Sequence, residues 1–325
     1  MPNTEAQPQY DLRYLVNAQC NLGCIMCLNE GVPILQPRGG IVGPTANEPI
    51  DRAINVFKSM VNVIGPENIR NFNLTGGEPT LEGVDKVSTF TSFLRHSGIQ
   101  HWWLNSNAVL LTPKFVQALS DTGLTEVKVN LPTMNPDRYR YVMQRNVALL
   151  QKQIEGIEAC IEAGWKTDIN VPLMSGVNDN AKELERYLHF SRLQKTDDQV
   201  TVKIFQLERG QYGTNLDDDV WTKHHITTDT LKNRLTLTSK GSDDNGRMQV
   251  YKARFANETM RLVIIDDISP QTIPGYITQR RSFAITHDLK LTRMWEKPFF
   301  EFNFSNGAST LDQQWKNALK VADRN

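Results

Sequence analysis

The sequence predicts an α/β protein built on a curved parallel sheet or partial barrel, and three observations carry that reading. Six short apolar stretches alternate with segments of helical period between Leu12 and Leu207. Helix ends carry stop signals, as where Gly164 follows the segment Val147 to Ala163. The alternation stops after about Arg209, where a polar, loop-rich tract begins. Because strand-helix-strand units wind right-handedly, repeated units lay parallel strands side by side and place ligands at the C-terminal strand ends.

The elements follow in order. Leu12 to Val16 reads as the first strand and runs into a cysteine-bearing loop, continued by a Gly- and Pro-rich stretch from Gly31 to Pro49. A helix is expected over Ile50 to Ile64, then a strand over Phe72 to Thr75 stopped by Gly76, Gly77 and Pro79. Val84 to His96 has helical spacing and Trp102 to Leu104 reads as strand three. Pro113 suits the first turn of a helix through Leu119, and Val127 to Leu131 is the fourth strand. After the helix Val147 to Ala163 come strand Asp168 to Leu173, helix Ala181 to Leu193 and strand Val200 to Leu207. Beyond, Gln211 to Gly246 is polar, with Asp217, Asp218 and Asp219 expected in a solvated loop. Met248 to Ala256 and Thr259 to Ile265 resemble a hairpin turned at Asn257 and Glu258, and Ser282 to Trp295 a further strand pair. This divides the chain into a core barrel, 1–209, and an α+β extension, 210–325, capping the substrate side.

Composition narrows the function. The 325 residues carry 36 basic and 36 acidic side chains, which argues against the basic face that nucleic-acid binding requires. No run approaches the roughly 18 apolar residues of a membrane span, and Met1 to Tyr10 is polar, so a cytoplasmic protein without membrane or nucleic-acid partners is expected. Four cysteines cannot form a disulfide scaffold in a chain of 325 residues, and three of them, Cys20, Cys24 and Cys27, fall in the loop after strand one. Spacing alone leaves open an iron-sulfur cluster, a zinc site or buried free thiols. Gly76-Gly77-Glu78-Pro79, after strand two, exposes backbone groups for close approach of a ligand.

With this strip, the cysteine triplet resembles the radical S-adenosylmethionine (SAM) superfamily. The resemblance implies a partial (β/α)6 barrel, one [4Fe-4S] cluster held by Cys20, Cys24 and Cys27, and an iron left for SAM. Reductive cleavage of SAM then yields a 5'-deoxyadenosyl radical that takes a hydrogen atom from substrate, with electrons from an external donor such as flavodoxin or ferredoxin. It further implies that Gly76, Gly77, Glu78 and Pro79 receive the SAM amino group and that Met26 packs near adenine. Ser106 and Asn130 match ribose-binding positions, or cap loops. Leu207 lines the adenine pocket or belongs to the core, and Arg145 meets a carboxylate or phosphate or simply flanks a helix.

A closer resemblance is to the GTP cyclase family of molybdenum-cofactor biosynthesis, over Asp11 to Cys27, Asn105 to Leu111, Gly156 to Gly164 and Ile169 to Asp179, which includes Gly176-Val177-Asn178-Asp179. Asp288 to Arg293 matches that family's C-terminal hairpin, where a second cluster has its own cysteines. Here Met294 and Trp295 follow, and Cys160 is the only other cysteine. Ala108 and Asp168 stand where the cyclases have glycine and lysine. GTP cyclisation is therefore not expected. Rearrangement, elimination, epimerisation, decarboxylation or carbon-carbon coupling of a small polar metabolite of nucleoside, nucleotide or sugar type is. The rival readings are a peptide-modifying or protein-activating radical SAM enzyme and a non-catalytic zinc module. Catalytic candidates are Glu208, Arg209 and Trp295, the last a lid residue or a core tryptophan. Asp266 and Asp267 join them on the substrate side, Arg280 and Arg281 clamp an anion or lie on the surface, and His224 and His225 are expected to be solvated.

Overall fold

The computed structural model describes residues 9–27, 49–207, 218–242, 248–265, 280–293, 299–305 and 310–322. The expected alternation is present: β1 (Gln9–Leu15), α1 (Ile50–Ile64), β2 (Ile69–Thr75), α2 (Val84–His96), β3 (Trp102–Ser106), α3 (Pro113–Asp121) and β4 (Glu126–Asn130). It continues through α4 (Pro136–Met143), α5 (Ala148–Glu162), β5 (Lys166–Leu173), α6 (Ala181–Glu185), α7 (Leu188–Ser191) and β6 (Val200–Gln206). The remainder contains α8 (Asp218–His224), α9 (Thr228–Lys232), β7 (Thr236–Ser242), β8 (Met248–Phe255), β9 (Glu258–Ile265), β10 (Arg280–Ile285), β11 (Lys290–Arg293), β12 (Phe300–Glu301) and α10 (Leu311–Ala322).

The twelve strands among the described residues form one open sheet, in the order β12-β11-β10-β1-β2-β3-β4-β5-β6-β9-β8-β7. The six expected strands are parallel, and the parallel array runs one strand further on each side, because β10 pairs parallel with β1 and β9 parallel with β6. The sheet thus continues across position 209, and the C-terminal strands extend both of its flanks.

Several sequence expectations need correction. Helix α4 was not foreseen, although Asn135 accepts the amides of Asp137 and Arg138 and Pro136 starts the helix, a clear start signal. The helix expected over 181–193 breaks into α6 and α7. Of the acidic run, Asp217 lies outside the described residues, while Asp218 and Asp219 fall in the first turn of α8 and not in the expected loop. The polar tract also supplies α9 and β7. The β8-β9 turn falls at Ala256 and Asn257, with Ala256 at φ +49°.

The two faces of the parallel sheet differ in chemistry. One face carries Leu12, Tyr14, Phe72, Leu74, Leu104, Val127, Val129, Ile169, Val171, Val202 and Ile204, each at most 2% exposed. Tyr14 packs on Phe57 of α1 and Phe90 of α2 at ring-centroid distances of 5.1 and 4.9 Å, which identifies this as the helix-covered face. On the same strands the alternate residues are Asp11, Arg13, Asn71, Asn73, Trp103, Asn105, Lys128, Asn130, Asp168, Asn170, Thr201 and Lys203. A parallel sheet covered on both faces would carry near-continuous apolar strands, so the inner face is built to meet polar matter. At the other end of the chain α10 lies on α1, where Trp315 Nε1 donates to the Val56 carbonyl at 2.9 Å. No helix among the described residues is long and apolar enough to cross a membrane.

Candidate active site

The cysteine loop leaves the C-terminal end of β1 and is fastened on two sides. On the β2 side the Gly77 amide donates to the Asn17 carbonyl at 2.8 Å and the Glu78 amide to the Gln19 carbonyl at 2.6 Å, so the Gly-Gly-Glu-Pro strip zips onto the loop's first residues. Only glycine permits this approach. A Cβ on Gly77 would lie 2.1 Å from the Gln19 carbonyl oxygen, and one on Gly76, at φ +136°, 2.6 Å from that of Asn17. On the other side, the amides of Gly23 and Ile25 donate to the carbonyls of Met143 and Val142 at the end of α4, at 3.1 and 2.9 Å. Arg145 Nε donates to the Asn21 carbonyl at 3.0 Å, so this arginine, expected to meet an anion or to flank a helix, clasps the loop.

Within that frame Cys20 and Cys24 are half-buried and Cys27 is exposed. The Leu22 amide donates to Cys20 Sγ at 3.4 Å, Asn107 Nδ2 approaches it at 3.8 Å, and Cys24 Sγ lies 3.5 Å from Met143 Sδ. Burial, and then the Glu78 carboxylate, push the Cys20 thiol up to about 12; burial and the neighbouring Cys27 and Cys20 raise Cys24. Such thiols stay protonated until a cation arrives. Three soft sulfur donors on one pinned loop, mutually repelling as thiolates, fit an iron-sulfur cluster, whose charge would draw the protons off. Among the described residues no three His, Cys, Asp or Glu side chains already close around a common point. Cys160, buried in α5, is raised by burial alone and sits in the hydrophobic core.

Glu78 is also bound within the protein itself. Its carboxylate is 1% exposed and accepts four hydrogen bonds: from the Thr80 amide (3.1 Å) and hydroxyl (2.6 Å), the Ser106 hydroxyl (2.8 Å) and the Asn107 amide (2.6 Å). Burial raises its proton affinity while these four donors oppose the rise. The side chain ties β2's turn to β3's end, and through Asn107 it reaches Cys20. Ser106 is engaged likewise, its hydroxyl donating to Glu78 and accepting the Ala108 amide at 2.9 Å, a loop-capping pattern.

The other candidates are distributed as follows. Met26 is buried within the loop, between Cys24 and Cys27, and Pro79 opens a short 3-10 turn, Pro79–Glu82. Asn130 ends β4 with its side-chain oxygen buried and lacking a partner. Leu207 is buried just past β6. Glu208, Arg209, Asp266, Asp267, Met294 and Trp295 lie outside the described residues, as do the side chains of Arg280 and Arg281. His224 is not solvated: it is 5% exposed and bridges the Ser175 carbonyl and the Tyr141 hydroxyl, both at 2.8 Å. In the motif Gly176 to Asp179, Asn178 donates to the carbonyls of Pro132 and Pro172 and accepts the Met174 amide, a buried lock between two strand ends.

Sequence reasoning missed the charged residues of the inner face. Lys128 Nζ stands 3.4 Å from the centroid of the Trp103 ring and 3.6 Å from Glu126 Oε1, and Lys203 pairs with Asp168 Oδ2. Burial, followed by repulsion from Lys203, lowers Lys128 to about 8. Burial works to raise Glu126, but hydrogen bonding from His101 and the charges of Lys128 and Lys166 outweigh it and leave the group at about 2. The signal was a polar residue at every second position of central strands, as in Lys128-Val129-Asn130 and Asp168-Ile169-Asn170. A lysine whose folded value lies below its unfolded one costs stability at every pH below the folded value. Lys128→Met should therefore stabilise the protein at pH 7 by about 1–3 kcal/mol, with the gain fading as pH rises from 8 toward 10.5. Urea denaturation at pH 7 and pH 10 checks this, and an unchanged or lowered midpoint at pH 7 contradicts it.

A parallel α/β barrel wall with three thiols on the loop after its first strand defines an enzyme of the cluster-dependent, SAM-cleaving class. The chain belongs to the radical SAM superfamily, whose family profile matches residues 14–188. Among curated proteins it is similar to the GTP 3',8-cyclase of Petrotoga mobilis, 32% identical over 182 residues that cover 55% of this chain and 51% of that protein. It is also similar to the GTP 3',8-cyclase of Thermodesulfovibrio yellowstonii, 30% identical over 228 residues, 69% of this chain and 62% of that protein. The chain thus spans about half to three fifths of these relatives' length. Among solved structures, Streptococcus suis SuiB bound to S-adenosylmethionine shares the fold, with a TM-score of 0.56 at 13% identity, over 98% of this chain and 66% of that one.

Proposed function

We propose that this radical SAM enzyme acts on a small polar metabolite of nucleoside, nucleotide or sugar type, with one [4Fe-4S] cluster on Cys20, Cys24 and Cys27. The observation that carries the reading is the polar inner face, whose Asn130, Lys128, Asp168 and Lys203 stand on β4, β5 and β6 of the same parallel sheet whose β1 leads into the cysteine loop. When bound, the cluster and SAM supply the electron and the 5'-deoxyadenosyl group for hydrogen abstraction, the electron coming from a flavodoxin- or ferredoxin-type donor. The chain's own residues hold the loop between β2 and α4, orient substrate by hydrogen bonds and keep the apolar helix layer dry behind the sheet.

The reaction class follows from the cysteine inventory. Three cysteines are in the loop and the fourth, Cys160, is inside α5, so this chain has no cysteine set for a second cluster to take up an electron. That favours redox-neutral outcomes: rearrangement, elimination, epimerisation, decarboxylation or carbon-carbon coupling. The relatives' name, GTP 3',8-cyclase, supports a nucleotide as the substrate. The test is 5'-deoxyadenosine formation by anaerobically reconstituted protein with SAM and reduced flavodoxin. A ribonucleotide in a panel of nucleotides, sugars and peptides is expected to accelerate it about tenfold or more. Acceleration confined to a peptide would overturn the small-metabolite reading.

A further inference from the structure

Between β4 and β5 the inner face holds two charged groups that face each other in register without joining. Lys128 and Asp168 are direct cross-strand partners. Asp168 is 1% exposed; its Oδ2 takes the Lys203 ammonium, while Oδ1 is buried and has no hydrogen-bond partner. The nearest carboxylate oxygen to Lys128 is Glu126 Oε1 at 3.6 Å, and no ion pair joins Lys128 to Asp168. Two residues further along β4, toward the strand's C-terminal end, Asn130 Oδ1 is likewise buried and unpartnered. A dehydrated carboxylate oxygen without a donor is costly, and such an atom in a ligand-facing wall marks where a ligand's donor belongs.

The chemistry of the gap is directional. A carboxylate oxygen only accepts and an ammonium only donates. The group that satisfies both at once presents an N–H directly beside a carbonyl oxygen. Among nucleotide substrates that is the lactam edge of a base: N1–H with O6 of hypoxanthine or guanine, or N3–H with O4 of uracil. We propose that Asp168 and Lys128 read the lactam edge of the substrate's nucleobase, Asp168 Oδ1 accepting the ring N–H and Lys128 Nζ donating to the adjacent carbonyl. This inference rests on the nucleotide reading above. It places the base inside the sheet's polar face and directs the sugar past Asn130 toward the strand ends from which the cysteine loop departs. The lowered proton affinity of Lys128 agrees, because a carbonyl dipole at its ammonium supplies part of the solvation that burial removes.

The test compares inosine 5'-triphosphate with purine riboside 5'-triphosphate, which lacks both the N–H and the carbonyl, by calorimetric binding to reconstituted, SAM-loaded protein. Wild type should prefer the inosine nucleotide by roughly a hundredfold or more, since a site built around a buried acceptor rejects the analogue without the donor. Asp168→Asn should erase most of that preference. Lys128→Met, which retains the fold, should weaken the inosine nucleotide and leave the purine riboside nucleotide unchanged, so the outcome does not depend on one variant. Equal wild-type affinities, or a preference that survives in both variants, would overturn the lactam assignment while nucleotide binding stands. If neither nucleotide binds, the nucleotide reading itself falls.

Discussion

Cys24→Ala, reconstituted anaerobically with iron and sulfide, should carry no stable cluster and form no 5'-deoxyadenosine, whereas the unaltered chain should bind about four irons. The effect is all-or-none because a three-thiolate site that loses one donor has no substitute at hand: the side chain nearest Cys24 among those bonded to it is the Met143 thioether, a weak ligand, at 3.5 Å. Folding should survive. Burial keeps the Cys24 thiol neutral without metal, so its replacement removes no charge partner from the metal-free protein. The same change at Cys160 is the control. It empties a small volume in the core, at a cost of about 1 kcal/mol, and should leave iron content and SAM cleavage intact. A Cys24→Ala protein that still binds four irons and cleaves SAM would refute the ligand assignment. So would loss of the cluster on changing Cys160.

The fold was largely legible because each core strand pairs an apolar stretch with a stop signal, and each following helix repeats its apolar residues at helical period. In the structure Tyr14, Phe57, Phe72 and Phe90 pack ring to ring in the helix-covered layer that this alternation implies. What the linear pattern could not show was partnership over distance. Strand β10 lies beside β1 although more than 260 residues separate them, and β9 completes the other flank only after α8, α9 and a hairpin have intervened. The cysteine triplet was readable as a local motif. The hydrogen-bond set of Glu78 was not, since its four donors come from Thr80, Ser106 and Asn107, brought to it by the β2-β3 pairing. His224 was misread for the same reason: a polar neighbourhood in sequence became a buried bridge between Ser175 and Tyr141. The inner-face lysines, Lys128 and Lys203, went unread, because an alternation along one strand does not show which face the helices cover until the sheet is assembled.

The second large effect is expected at the strip that docks the cysteine loop. In Gly77→Ala the new methyl group would stand 2.1 Å from the Gln19 carbonyl oxygen, and that neighbour is backbone, so either the loop or β2's turn must move. Movement breaks the two hydrogen bonds, Gly77 amide to Asn17 and Glu78 amide to Gln19, that set the loop one residue before Cys20. Glu78→Gln attacks the same junction electrostatically. The carboxylate accepts four hydrogen bonds, and an amide in its place turns one oxygen into a donor facing either the Asn107 amide or the Thr80 and Ser106 groups. That mismatch should cost about 1.5–3 kcal/mol in the folded protein. The two variants separate docking from direct SAM contact. If Glu78 acts by holding Asn107 and the loop, Glu78→Gln should lower the melting temperature of metal-free protein before any SAM is present, and Gly77→Ala should lose iron on reconstitution. If Glu78 instead contacts SAM and nothing else depends on it, metal-free stability should match wild type and only SAM affinity should fall. Thermal unfolding of the metal-free variants, followed by iron analysis and SAM titration of the reconstituted ones, distinguishes these outcomes; an unchanged melting temperature in Glu78→Gln would overturn the docking role.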